Sequence, residues 1–84
     1  MQAVAEIDMQ NFRENVDYLC ADRGAKVRLA KGAEITPEYL SEILSGRKSP
    51  SLHIAYDIAT FLGVGLDDLK LPHKKFLRIF KKAS

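Results

Sequence analysis

The 84 residues suffice for one domain with a single core, though so small a domain gains stability from a partner surface. With 46% hydrophobic and 29% charged residues, no repeat and one cysteine (Cys20), the composition is globular and excludes an intramolecular disulfide, which fits a reducing, cytoplasmic setting. No apolar run approaches the length of a membrane span, residues 1–6 lack the pattern of a signal peptide, and no membrane partner is expected. The net charge of +2 conceals an asymmetry. Residues 1–23 hold five acidic and two basic side chains; residues 24–50 hold five basic and three acidic. Residues 51–70 hold three acidic and one basic, and residues 71–84 hold five basic and none acidic. Positive charge therefore gathers in the centre and the tail, the distribution a nucleic-acid partner favours.

The predicted elements are all helical, because no segment sustains a two-residue apolar alternation. After an N-terminal arm over residues 1–8, Asp8 caps a first helix. Its apolar stripe is Met9, Phe12, Val16, Leu19 and Cys20, and it ends near Arg23-Gly24. Cys20 reads as a buried small hydrophobe. A second helix, from about Lys26 to Ala33, turns Leu29, Ala30 and Ala33 inward. Thr36-Pro37-Glu38 opens a third with hydroxyl cap, first-turn proline and carboxylate in order. Leu40, Ile43 and Leu44 face its core, and Gly46 ends it. Ser51 caps a fourth helix over Leu52 to Leu62, with Ile54, Ala55, Ile58, Phe61 and Leu62 inward; Gly63 stops it. Leu66-Asp67-Asp68-Leu69 forms a one-turn fifth helix. Pro72 separates this from a basic amphipathic segment over residues 72–84.

Residues 26–46 have the layout of a helix-turn-helix. Around them, Leu29-Ala30, Ile35-Thr36, Leu40-Ser41, Ile43, Ser45-Gly46-Arg47-Lys48, Pro50-Ser51-Leu52, Ile58-Ala59, Leu62-Gly63-Val64 and Leu66-Asp67-Asp68-Leu69 follow one another in a set order. In these the chain resembles the Cro/lambda-repressor-type helix-turn-helix family, also called the XRE family, over roughly residues 9–71. The resemblance implies an all-α, five-helix lambda-repressor-like domain. It also implies a protein that binds double-stranded operator DNA, commonly as a homodimer on a palindromic site. The third helix would lie in the major groove while the second crosses the backbone.

Carried over position by position, Pro37, Glu38, Ser41 and Glu42 face base edges, and Tyr39 lies near a phosphate or a thymine methyl. Lys26, Arg47, Lys48 and Ser49 match phosphate-holding positions, and the nearby charges of Arg28 and Lys31 extend that rim. Three departures stand out. The chain is one residue shorter between Gly24 and Leu29. Glu34 occupies a turn position that is often glycine. Cys20 and Leu44 replace a pair of Arg and Glu, an exchange that can preserve stability.

Two uses of the acidic third helix remain open. Glu38 and Glu42, with Glu34 continuing their stripe, can accept from cytosine N4 in the major groove. Alternatively they form a solvated face, or dock a basic protein, as in an antitoxin or a modulator of another regulator. Phosphate attraction works against carboxylates at a DNA surface. In the tail, Phe76, Leu77, Ile79 and Phe80 are too apolar to stay exposed together. They either complete the core or a dimer as a sixth helix, or form a basic amphipathic helix on DNA or a membrane surface; the need for buried area favours packing or dimerisation. His53 and His73 lack a second ligand at metal spacing and read as surface residues. No nucleophile-base set or phosphate loop suggests an enzyme, and no cofactor, metal or small-molecule ligand is expected. The function that follows is transcription regulation by a small repressor or controller protein.

Overall fold

The computed structural model describes the backbone of residues 2–80 and the side chains of residues 9–80; Lys81 and Lys82 of the basic segment lie outside the described residues. Six helices follow in order: α1 (Gln2–Leu19), α2 (Ala25–Gly32), α3 (Pro37–Ser45), α4 (Leu52–Leu62), α5 (Leu66–Leu69) and α6 (His73–Ile79). No strand occurs among the described residues. The basic segment thus contributes a sixth helix to an all-α fold, in keeping with the all-α expectation.

The ends of α1 differ from expectation at both sides. The helix begins at Gln2, running through the segment expected to be an arm, and Asp8 is an interior residue instead of a cap. Residues 2–7 contain neither glycine nor proline, so nothing in them interrupts a helix. At the other end α1 stops at Leu19, four residues before Arg23. Gly24 belongs to the next helix: at φ 79° it is the N-cap residue of α2. A left-handed backbone there suits glycine and turns the chain sharply between the two helices.

Helices α3 and α4 begin where local chemistry places them. Thr36 Oγ1 accepts from the Tyr39 amide at 3.0 Å, and Ser51 Oγ accepts from the Ile54 amide at 3.2 Å. Glu34 takes φ 60°, the left-handed conformation that its position in the turn demands. The Ile35 amide donates to the Ala30 carbonyl and the Glu34 amide to the Lys31 carbonyl, the paired bonds of a Schellman motif. A non-glycine residue there carries backbone strain, which the tight α2–α3 connection holds in place.

The core is contiguous. Phe12, Val16 and Cys20 of α1 and its following turn meet Leu29, Ala30 and Ala33, then Leu40 and Ile43, then Ala55, Ile58 and Ala59. Leu69 and Phe76 close it from the far side. Phe61 departs from the expected stripe: it is 47% exposed, and Ala59 takes the buried position. The Phe61 ring lies over Gly32, where an added Cβ would come within 2.2 Å of it. The bare backbone of α2 is what admits the ring.

In α6, Phe76 is fully buried and Phe80 packs beside it with ring centroids 4.9 Å apart. Leu77 is half-buried, whereas Ile79 is 56% exposed. His73 also departs from expectation. It is half-buried, with its Nδ1 2.7 Å from Oδ1 of Asn15, a fully buried residue of α1. Asn15 Nδ2 donates to the carbonyls of Leu69 and Leu71 at 2.8 and 2.9 Å. Both amide hydrogens are thereby used, so Oδ1 must face His73, and His73 Nδ1 carries the proton that it accepts. One asparagine therefore ties α1 to α5, to the α5–α6 connection and to α6.

Candidate nucleic-acid interface

The Thr36 cap and the buried pair Leu40 and Ile43 fix which side of α3 faces outward. At 100° per residue, Pro37, Glu38, Ser41, Glu42 and Ser45 share the opposite arc. Pro37, Glu38 and Ser41 are exposed, and Glu42 is half-buried. Lys26, Arg28 and Lys31 are exposed on α2, and Arg47, Lys48 and Ser49 are exposed in the loop after α3.

Two groupings emerge. Lys26, Pro37 and Ser41 line an open cleft of about 290 Å³ together with Asp17 and Val27. It lies where α1, α2 and α3 meet, and neither Arg28 nor Lys31 lines it. The second grouping is Tyr39, Glu42 and Lys48. Lys48 Nζ lies 3.4 Å from Glu42 Oε1 and 5.7 Å from the centre of the Tyr39 ring. Tyr39 itself is half-buried against the core. The α3 C-terminus is built to hold this second group: the amides of Arg47 and Lys48 both donate to the Glu42 carbonyl, at 2.9 and 3.2 Å. Gly46, at φ 89°, reverses the chain so that they can.

Three residues of the region escaped the sequence reading. Arg13 of α1 donates from Nε to the Ile43 carbonyl at 2.8 Å, binding α1 to the last turn of α3. Asp17 pairs with Lys26 at 2.8 Å. Val27, 60% exposed, places an apolar group among the basic residues of α2. The partners of Arg13 and Asp17 are thirty and nine positions away, so no local spacing announces them.

Chemically, the surface offers cations that can meet phosphates and a polar helix face of a width suited to a groove. A family model described as helix-turn-helix matches residues 26–69, more than half of the chain, spanning α2 to α5. The chain belongs to this XRE-type helix-turn-helix family, a class of DNA-binding domains that is not enzymatic. It is a DNA-binding helix-turn-helix regulator in the general sense, with double-stranded DNA as its partner. Neither a curated protein nor a solved structure matches it significantly. No helix among the described residues is long and apolar enough to cross a membrane.

Proposed function

We propose that this protein is a sequence-specific transcriptional regulator, a small repressor or controller that binds a palindromic operator as a homodimer. The observation that supports this reading is the polar arc of α3 opposite buried Leu40 and Ile43; in this reading its residues Pro37, Glu38, Ser41 and Glu42 are the ones that meet base edges. Lys26, Arg28, Lys31, Arg47, Lys48 and Ser49, with Tyr39, flank the arc and take phosphates. Regulation is steric: a dimer seated on an operator that overlaps a promoter blocks or contacts polymerase.

A second copy has a surface to cover. Leu52 of α4 is 77% exposed, and Tyr56, one turn on, is exposed as well. Leu52 borders an open, mainly apolar cleft of about 300 Å³ with Met9, Pro50 and Leu66. A chain of this size gains from burying such a surface. The alternative role, docking a basic protein through an acidic α3, is disfavoured by the Glu42–Lys48 pair, which lowers the net negative charge of that face.

Selection from a random-sequence duplex pool tests the proposal. The expected product is an enriched site with two-fold symmetry and half-sites about one helical turn apart. A pool that enriches no sequence would overturn the reading, and enrichment of sites without a dyad would overturn the dimer.

A further inference from the structure

Two of the lysines proposed to hold phosphates are each paired with a carboxylate: Lys48 with Glu42 at 3.4 Å and Lys26 with Asp17 at 2.8 Å. The carboxylates differ in position. Glu42 stands on α3, within reach of the surface that would face bases, whereas Asp17 stands on α1. We infer that Glu42 is a specificity-determining residue that acts by exchange of partners: Lys48 leaves it for a phosphate, and its freed carboxylate takes a cytosine amino group. This inference rests on the DNA-reading role proposed for α3.

The physical argument concerns what happens to the carboxylate once Lys48 departs. On a matching site, cytosine N4 donates to it and replaces the lost partner. On a non-matching site the carboxylate faces the phosphate field with no donor, and that state is unfavourable. The pair therefore penalises random sequence more than the operator. The loop geometry suits such an exchange, because main-chain bonds from Arg47 and Lys48 to the Glu42 carbonyl keep the lysine backbone in place while its side chain swings. Asp17 stands on α1, outside the α3 arc proposed to face bases. Its pair with Lys26 weakens binding to every sequence alike.

The test measures binding of the full chain to the selected duplex and to a scrambled duplex between 50 and 200 mM salt (the range over which phosphate contacts are expressed). The proteins compared are wild type, Glu42→Gln, Lys48→Ala, the double variant and Asp17→Asn. Glu42→Gln should tighten scrambled-duplex binding by about threefold to tenfold and steepen its salt slope by about 0.9, one added phosphate contact. The ratio of selected to scrambled affinity should fall, and the tightening should vanish when Lys48 is already alanine. Asp17→Asn should tighten both duplexes equally. The inference is overturned if Glu42→Gln leaves scrambled binding unchanged, or tightens it equally without Lys48, which would indicate simple charge removal. If selection enriches no sequence, the sequence-specific reading falls while the scrambled-duplex comparison still decides whether Glu42 restrains Lys48. If no protein binds any duplex at 50 mM salt (where phosphate attraction is strong), both fall together.

Discussion

Arg13 and Ile43 join the middle of α1 to the end of α3 through a single bond, Nε to main-chain oxygen at 2.8 Å. The carbonyl belongs to the last turn of α3, where a positive charge also complements the helix dipole. The Arg13 guanidinium lies beside Gly46 as well, within 4 Å of where a Cβ would stand. Arg13 therefore sets how α3 sits on the rest of the domain.

Replacing Arg13 with alanine should lower stability by about 1.5–3 kcal/mol, the worth of a hydrogen bond that involves a charged group. A urea titration measures this. Duplex affinity should fall further than stability alone explains, because α3 loses an anchor without losing any group that faces DNA. Arg13→Lys keeps the charge but not the planar donor, so it should recover only part of the loss.

Asn15 makes a sharper case. Its two amide hydrogens and its oxygen are all engaged inside the core. Asn15→Asp removes the donors and sets a carboxylate against the Leu69 and Leu71 carbonyls. The expected loss is about 3 kcal/mol or more, against about 2 kcal/mol for Asn15→Ala, which leaves the same carbonyls unpaired. Thermal unfolding of the two variants checks the order; equal or negligible losses would contradict this role.

Much of this architecture was legible in the sequence where chemistry is local. Thr36-Pro37, Ser51, Gly46 and Gly63 marked helix ends because caps and left-handed stops act within a few residues. Asp8 misled, since a good capping residue also tolerates a helix interior when the preceding residues continue the helix. Gly24 misled in a related way, because the same left-handed residue can close one helix or open another. The contacts of Arg13 and Asn15 depend on partners 30 to 58 positions away, and sequence alone reads His73 as a surface residue for the same reason. On the candidate interface, the residue types of α3 could be read from sequence. The pairing of Glu42 with Lys48 and of Lys26 with Asp17 could not, because it depends on how the loop and α1 come to rest.

Glu34 offers a substitution that should improve the protein. It holds φ 60° without the freedom of glycine. Glu34→Gly should raise stability by up to about 1 kcal/mol, as relief of the left-handed backbone outweighs the added freedom of the unfolded chain. It also removes a negative charge near α3, so duplex binding should strengthen modestly. Unfolding midpoint and duplex affinity together test both effects.

The packing of α6 separates two neighbouring apolar residues. Phe76→Ala should lower stability by about 3–5 kcal/mol, since it empties a fully buried site. Ile79→Ala should change it by no more than about 0.5 kcal/mol, as expected for an exposed position. Similar losses at the two positions would mean that Ile79 is covered in solution, and sedimentation would show whether a second copy covers it.

The salt dependence of duplex binding tests the central claim most directly. If the cations around α3 meet phosphates, the logarithm of the affinity should fall linearly with the logarithm of salt concentration. The slope should be about −0.9 for each phosphate held, and Lys48→Ala should make it shallower by no more than one such contact. Binding that is absent at low salt, or that does not change as salt rises, would contradict the account.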